Sequence, residues 1–106
     1  MIDISDQMQL FHGACELALN HFFADYPDEK LEEELKKACR FLVVSGDPLK
    51  GDPAGWAAGL VFWKWKEKAL FGGLPGVSNA DFERCFGVTM STIRKRGAQA
   101  KSILIL

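Results

Sequence analysis

Residues 52–65, DPAGWAAGLVFWKW, contain the segment that decides the fold. Asp52 is a good N-cap residue, and Pro53 is favoured at the first position of a helix. The run from Trp56 to Trp63 is apolar on every side, which is typical of a helix buried all round. Small residues at 57–59 would let neighbouring helices approach closely. The residues expected in the core from this central helix are Trp56, Ala57, Leu60 and Val61.

Helical patterns also flank the central segment. Apolar residues recur at spacings of three and four in 5–24 and 28–45, and no run of alternating apolar and polar residues supports a strand. Ser78 or Asn79 is expected to begin a fourth helix that ends at Gly87, and a fifth runs from near Thr89 to about Leu104. We therefore predict an all-α fold in which residues 1–106 form a single five-helix domain.

The charge is distributed unevenly along the chain. The net charge of −1 combines 5 Lys/Arg and 11 Asp/Glu in residues 1–53 with 8 Lys/Arg and 3 Asp/Glu in residues 54–106. A basic second half is compatible with an anionic partner such as nucleic acid. It is equally compatible with two halves of the domain that attract each other.

Several features concern the cellular location. Cys15, Cys39 and Cys85 are far apart in sequence and include no Cys-x-x-Cys pair, which favours a reducing compartment. The N-terminus MIDISDQMQL is acidic and polar, unlike a signal peptide. The longest apolar run has 8 residues, against about 20 for a bilayer span. We expect a soluble cytoplasmic protein without a membrane partner.

The segment 79–101 has the pattern of a helix-turn-helix corner. Phe82 and Phe86 would face inward from the first helix, Gly87 would form the turn, and Ile93 would pack inward from the second. Glu83 departs from the pattern because a small residue is usual there, and Arg96 stands where an apolar residue is common. If the corner reads DNA, the hydroxyl and basic residues that suit phosphates and base edges are Ser91, Thr92, Arg94, Lys95, Arg96 and Lys101.

A protein-interaction surface is the alternative reading. The stretch 62–71, FWKWKEKALF, interleaves aromatic residues with lysines. This pattern occurs on binding surfaces. It also occurs where the aromatic residues are buried in the core and the lysines face solvent. Its candidate partner-binding residues are Trp63, Lys64, Trp65, Lys68 and Phe71. The apolar tail at 102–106, SILIL, would either close the core against the first helix or form a homodimer with a second copy.

The second half of the sequence also resembles known proteins. The segments 50–65 and 77–96 resemble a poorly characterised prokaryotic family of unknown function with a proline-started Trp-Ala-Ala-Gly helix and a Gly-Val corner. The layout is similar to one cyclin-box repeat of transcription factor IIB. The resemblance implies a five-helix cyclin-like repeat and a partner that is DNA in some families and protein in others. The residues that carry it are Pro53, Ala57, Ala58, Gly87, Val88, Thr92, Ile93 and Arg94.

Catalytic and metal-binding patterns are weak. His12, Cys15 and Glu16 share a helix face at spacings of three and four, but no fourth ligand is evident. Gly46 and Gly51 have the spacing of a phosphate loop, yet Asp-Pro follows where Lys-Ser/Thr is needed. We therefore expect no enzyme activity, no metal and no cofactor.

Overall fold

The computed structural model describes residues 4–44, 51–69 and 77–105, and these residues form five α-helices with no strand among them. This confirms the all-α, five-helix prediction. None of the described helices is long and apolar enough to cross a membrane. The helices are α1 (Ile4–Asp25), α2 (Glu29–Val43), α3 (Pro53–Ala69), α4 (Asn79–Phe86) and α5 (Met90–Ile105).

Polar caps fix the first turns of α2 and α3. The Asp28 carboxylate accepts a hydrogen bond from the Leu31 N–H at 3.1 Å at the start of α2. The Asp52 carboxylate accepts one from the Ala54 N–H at 2.9 Å, so the predicted cap before Pro53 is present. Each cap satisfies an N–H group that has no partner within its own helix.

The third helix occupies the centre of the domain, as predicted. It contacts each of the other four helices. Its residues from Trp56 to Val61 are buried, and Ala57, Leu60 and Val61 are completely inaccessible to solvent. The uninterrupted apolar run is therefore needed because the helix meets another helix on each side.

The most extensive helix interface, between α3 and α5, is a backbone-to-backbone contact. A Cβ atom added to Gly59 would lie 2.5 Å from the Gly97 nitrogen and 2.8 Å from the Arg96 carbonyl carbon. A Cβ on Gly97 would lie 3.0 Å from the Gly59 carbonyl oxygen. The small residues of α3 were expected to allow close approach, and Gly97 is the matching position on α5.

An aromatic cluster centred on Phe22 of α1 holds α4 against the rest of the core. The Phe22 ring stacks on Phe82 and Phe86 of α4, with centroids 5.6 and 5.5 Å apart. It also stacks on Tyr26 at 5.0 Å and meets Trp65 of α3 edge-on at 5.4 Å. Contacts of this kind add to the free energy gained from burying the rings. The cluster therefore positions α4 and the corner that follows it.

The apolar C-terminal residues lie beside α2 instead of the first helix. Ile103 and Leu104 are half-buried and pack against the core. In the described part of the chain α5 contacts α2, α3 and α4 but not α1. The expectation that this tail closes the core against the first helix was therefore wrong, because α3 lies between α1 and α5.

Replacing Gly59 by alanine should destabilise the domain, because the new methyl group would force α3 and α5 apart. We expect a loss of about 1–3 kcal/mol in the free energy of unfolding, as for other overpacked cores. Gly55→Ala is the matched control in the same helix. A Cβ there would make an ordinary contact of 3.4 Å with Thr92 Cγ2, so the variant should be as stable as wild type or more stable. Urea denaturation followed by circular dichroism measures both; equal stability of the two variants would contradict the close contact.

Candidate nucleic-acid interface

The corner between α4 and α5 is built by local hydrogen bonds. Ser78 and Asp81 form a capping box at the start of α4: the Asp81 N–H donates to the Ser78 hydroxyl, and the Ser78 N–H donates to the Asp81 carboxylate. Gly87 ends the helix with φ 70° and ψ 26°, a left-handed conformation that favours glycine. Its N–H donates to the Glu83 carbonyl oxygen at 2.8 Å. The predicted turn residue is confirmed.

The inward side of the corner also matches the sequence pattern. Phe82 and Phe86 are buried on α4, and Ile93 is completely inaccessible on α5. Val88 is half-buried between the two helices. These contacts establish a helix corner that completes the core; whether it acts as a helix-turn-helix stays a prediction.

Glu83, the residue that departed from the helix-turn-helix pattern, has a structural role. Its carboxylate accepts a hydrogen bond from the Met90 N–H at 2.8 Å and so caps the first turn of α5. An acidic group is stabilising at this end of a helix, where unpaired N–H groups give a partial positive charge. A DNA phosphate approaching the same end of α5 would meet the Glu83 carboxylate first.

Four of the six predicted DNA-binding residues lie on one exposed face of α5. Ser91, Arg94, Lys95 and Lys101 are exposed and spread over about 120° of the helix surface, at 3.6 residues per turn. Ser91 and Lys95 lie opposite buried Ile93, and Arg94 and Lys101 lie together toward one edge of the exposed side. The small residues Ala98 and Ser102 lie on the same side. The sequence of α5 contains no Asp or Glu. Within the described residues, none of the three cations Arg94, Lys95 and Lys101 forms an ion pair with a carboxylate. We call Ser91, Arg94, Lys95 and Lys101 the α5 basic face.

The other two predicted residues, Thr92 and Arg96, lie against α3. The Arg96 guanidinium carbon is 4.9 Å from the centre of the Trp56 ring, a cation–π contact. Its Nη1 donates to Gln99 Oε1 at 2.8 Å. The guanidinium occupies the space into which a side chain at position 51 would project, so Gly51 leaves room for it. The φ of 92° at Gly51 is also a conformation that favours glycine. The structure therefore gives Arg96 a packing role at the start of α3, separate from the α5 basic face.

The alternative aromatic surface is mostly part of the core. Trp63 and Trp65 are each only 8% exposed. Lys64 forms an ion pair with Glu34 of α2 at 3.3 Å, and its Nζ lies 4.4 Å from the centre of the Trp63 ring. Lys68 lies in α3, and Phe71 lies outside the described residues. The Lys64–Glu34 pair is one attraction between the basic and acidic halves of the chain.

An open groove between α2 and the C-terminal end of α5 is a feature that the sequence analysis missed. Phe41 is 66% exposed and does not belong to the row of buried residues on α2. A large apolar residue outside that row was the feature of the sequence that could have indicated the groove. Ile103 and Leu104 line the opposite side. The remaining lining residues are Lys30, Glu33, Glu34, Lys37, Ala38, Trp63 and Lys64.

The cysteine and histidine positions show packing contacts. Cys15 of α1 and Cys39 of α2 are completely buried, and a hydrogen bond with Cys39, together with burial, raises the pKa of the Cys15 thiol. Burial also raises the pKa of the Cys85 thiol, the opposite of what an activated nucleophile needs. His12 Nε2 lies 3.6 Å from Glu16. Among the residues with described positions, no three His, Cys, Asp or Glu side chains form a potential metal site.

Replacing Glu83 by alanine should destabilise the corner, because the Met90 N–H would lose its acceptor. The expected loss is about 0.5–2 kcal/mol in the free energy of unfolding, the usual cost of removing an N-terminal cap. Glu83→Gln keeps an acceptor oxygen and should recover much of this loss. Urea denaturation measures both, and an alanine variant as stable as wild type would show that the bond contributes nothing.

Acidic pH should weaken the capping box of α4. The Ser78 N–H and the Arg84 guanidinium hold the pKa of Asp81 below its usual value of 3.8. Because the pKa is lowered in the folded state, ionised Asp81 stabilises the fold above its unfolded pKa. This contribution is lost as the pH falls through the folded value. Asp81→Asn should therefore lower the thermal midpoint at neutral pH, and the difference from wild type should shrink in acid. A difference that stays constant with pH would contradict this assignment.

Comparisons of the chain with protein-family models, with curated proteins and with solved structures found no match. The resemblance to a cyclin-box repeat therefore stays a prediction from the sequence.

Proposed function

We propose that this domain associates with DNA through the α5 basic face. The observation that carries the proposal is the grouping of Arg94, Lys95 and Lys101 on one exposed side of a helix that contains no acidic residue. Clustered cations on one helix face are the electrostatic pattern of a nucleic-acid-binding surface. The role is one of binding, with no catalytic step.

The face is suited mainly to phosphate contacts. Ser91 and Lys101 are about 15 Å apart along the helix axis, at 1.5 Å per residue. Cations and a hydroxyl over this length can contact successive phosphates of the DNA backbone, which positions a protein without reading sequence. Ala98, between Arg94 and Lys101, adds no bulk that would keep the backbone away.

The position of Glu83 favours a particular approach of the helix to DNA. Its carboxylate occupies the N-terminal end of α5, so entry of that end first would bring a negative charge toward the phosphates. Contact along the side of α5 keeps Glu83 at the edge and turns the three exposed cations toward the DNA. The resemblance of the corner to a cyclin-box repeat supports a transcription-related role as the finer form of this proposal.

Binding to a short duplex should depend on the α5 basic face and on salt. With three phosphates neutralised, the logarithm of the binding constant should fall with the logarithm of salt concentration with a slope of about −2.7. The triple variant Arg94→Ala/Lys95→Ala/Lys101→Ala should bind about tenfold more weakly or worse at low salt. Fluorescence anisotropy of a labelled duplex measures both quantities.

Arg96→Ala is the matched control for this titration. It removes one positive charge from the same helix but leaves the α5 basic face unchanged, so it should retain most of the affinity while lowering stability through the lost Trp56 contact. Failure of wild type to bind at tens of micromolar would count against the proposal. So would full affinity in the triple variant.

A protein-interaction module without nucleic-acid binding is the second candidate, and the groove beside Phe41 favours it. Phe41 is exposed across the groove from the half-buried Ile103 and Leu104, and the groove also includes Trp63 and Lys64, two of the predicted partner-binding residues. Large exposed apolar side chains rimmed by charges are typical of surfaces that contact other proteins. If the DNA titration fails as described, this candidate becomes the better reading.

A further inference from the structure

The outer face of α1 carries a row of exposed, uncharged residues that no described part of the domain covers. Leu10 is 75% exposed and Leu17 is 68% exposed. Gly13 and Ala14, which lie between them, are also exposed, and a Cβ added to Gly13 would meet nothing within 4 Å. Asn20, His21 and Ala24 continue the same exposed side toward the end of the helix. We call these seven residues the α1 stripe.

The composition of the α1 stripe differs from that of an ordinary solvated helix face. It contains no Lys, Arg, Asp or Glu. Between Leu10 and Ala24 the helix has one carboxylate, Glu16, which is half-buried beside His12. The exposed side of α2, by contrast, carries charged residues that include Glu33, Lys37 and Arg40. Exposed leucines in a row without charges are unusual for a monomeric surface.

We propose that the α1 stripe binds a second copy of this chain in an antiparallel, twofold-symmetric helix pair. Leu10 and Leu17 lie at equal distances on either side of the Gly13–Ala14 bond. A twofold axis at this bond brings Leu10 of each copy against Leu17 of the partner subunit and Gly13 against Ala14 of the partner subunit. Such a contact uses the same patch twice, as the commonest dimers do.

Charge and size both favour a second copy as the occupant. A neutral patch can face itself without bringing like charges together, whereas it offers a charged partner no attraction. The two small residues at the axis let the helices approach closely, so that the leucines on either side can interlock.

The size of the stripe sets the strength of the dimer. From Leu10 to Ala24 it extends about 21 Å, at 1.5 Å per residue, and it is one helix wide. A strip of this length and width is smaller than a standard stable interface, so the association should be weak and depend on concentration. In the described residues α1 and α5 do not touch, and both pack on α3. Pairing through α1 therefore leaves the α5 basic face of both copies open.

Charge variants at positions 10 and 17 test both the dimer and its direction. Leu10→Glu/Leu17→Glu brings acid against acid in an antiparallel pair and should weaken self-association about tenfold or more. Leu10→Lys/Leu17→Glu brings lysine against glutamate at both contacts and should retain the dimer. In a parallel pair, Leu10→Lys/Leu17→Glu would bring lysine against lysine and glutamate against glutamate, so the dimer would dissociate. Sedimentation velocity over a range of concentrations measures the fraction of dimer, without DNA.

Phe41→Glu is the control, because it places the same charge on an exposed apolar residue outside the α1 stripe. It should leave the association unchanged, and circular dichroism should show all variants folded. A wild-type chain that is monomeric at every concentration would overturn the proposal, as would undiminished association of the double-glutamate variant. Loss of the dimer in Phe41→Glu would assign the interface to the groove instead. Dissociation of Leu10→Lys/Leu17→Glu would overturn the antiparallel arrangement.

Discussion

The direct contact of Gly59 with Gly97 determines how α5 is presented to solvent. With no side chain at either position, the two backbones touch, and this fixes both the separation and the rotation of α5 on α3. Once Gly97 faces α3, the helix repeat turns Ile93 and Ala100 inward and Ser91 and Lys95 outward, while Arg94 and Lys101 are exposed along one edge of the interface. The same rotation brings Arg96 over Trp56. The candidate site is therefore a consequence of the packing between two glycines.

Features that depend on neighbours in sequence could be predicted. Asp52 and Pro53 start α3, Ser78 starts α4, and Gly87 ends it, because caps and turns involve residues within four positions of each other. The central position of α3 followed from an apolar run without a polar face. Gly97 as the partner of Gly59 could not be found in this way, since a spacing of 38 residues says nothing about which glycines meet.

The candidate site was predicted in part. The basic composition of α5 is visible in the sequence, but the division between Arg94 and Arg96 depends on which side of the helix meets α3. Glu83 looked like a misfit because the pattern compares residue types, whereas its hydrogen bond to the Met90 N–H depends on the geometry of the turn. The α1 stripe was missed because periodicity identifies the buried side of a helix; the signal on the other side was the lack of charge.

The contact between α3 and α5 also has a consequence for the order of events during protein synthesis. The ribosome makes α3 before α5, so the α5-facing side of the apolar run 56–63 has no cover from α5 until the later helix has been added. Incomplete chains of this kind expose hydrophobic surface and are prone to aggregate. A nascent chain that stops after α3 would present Trp56 and the surface around Gly59 to chaperones, and the arrival of Gly97 would end that exposure.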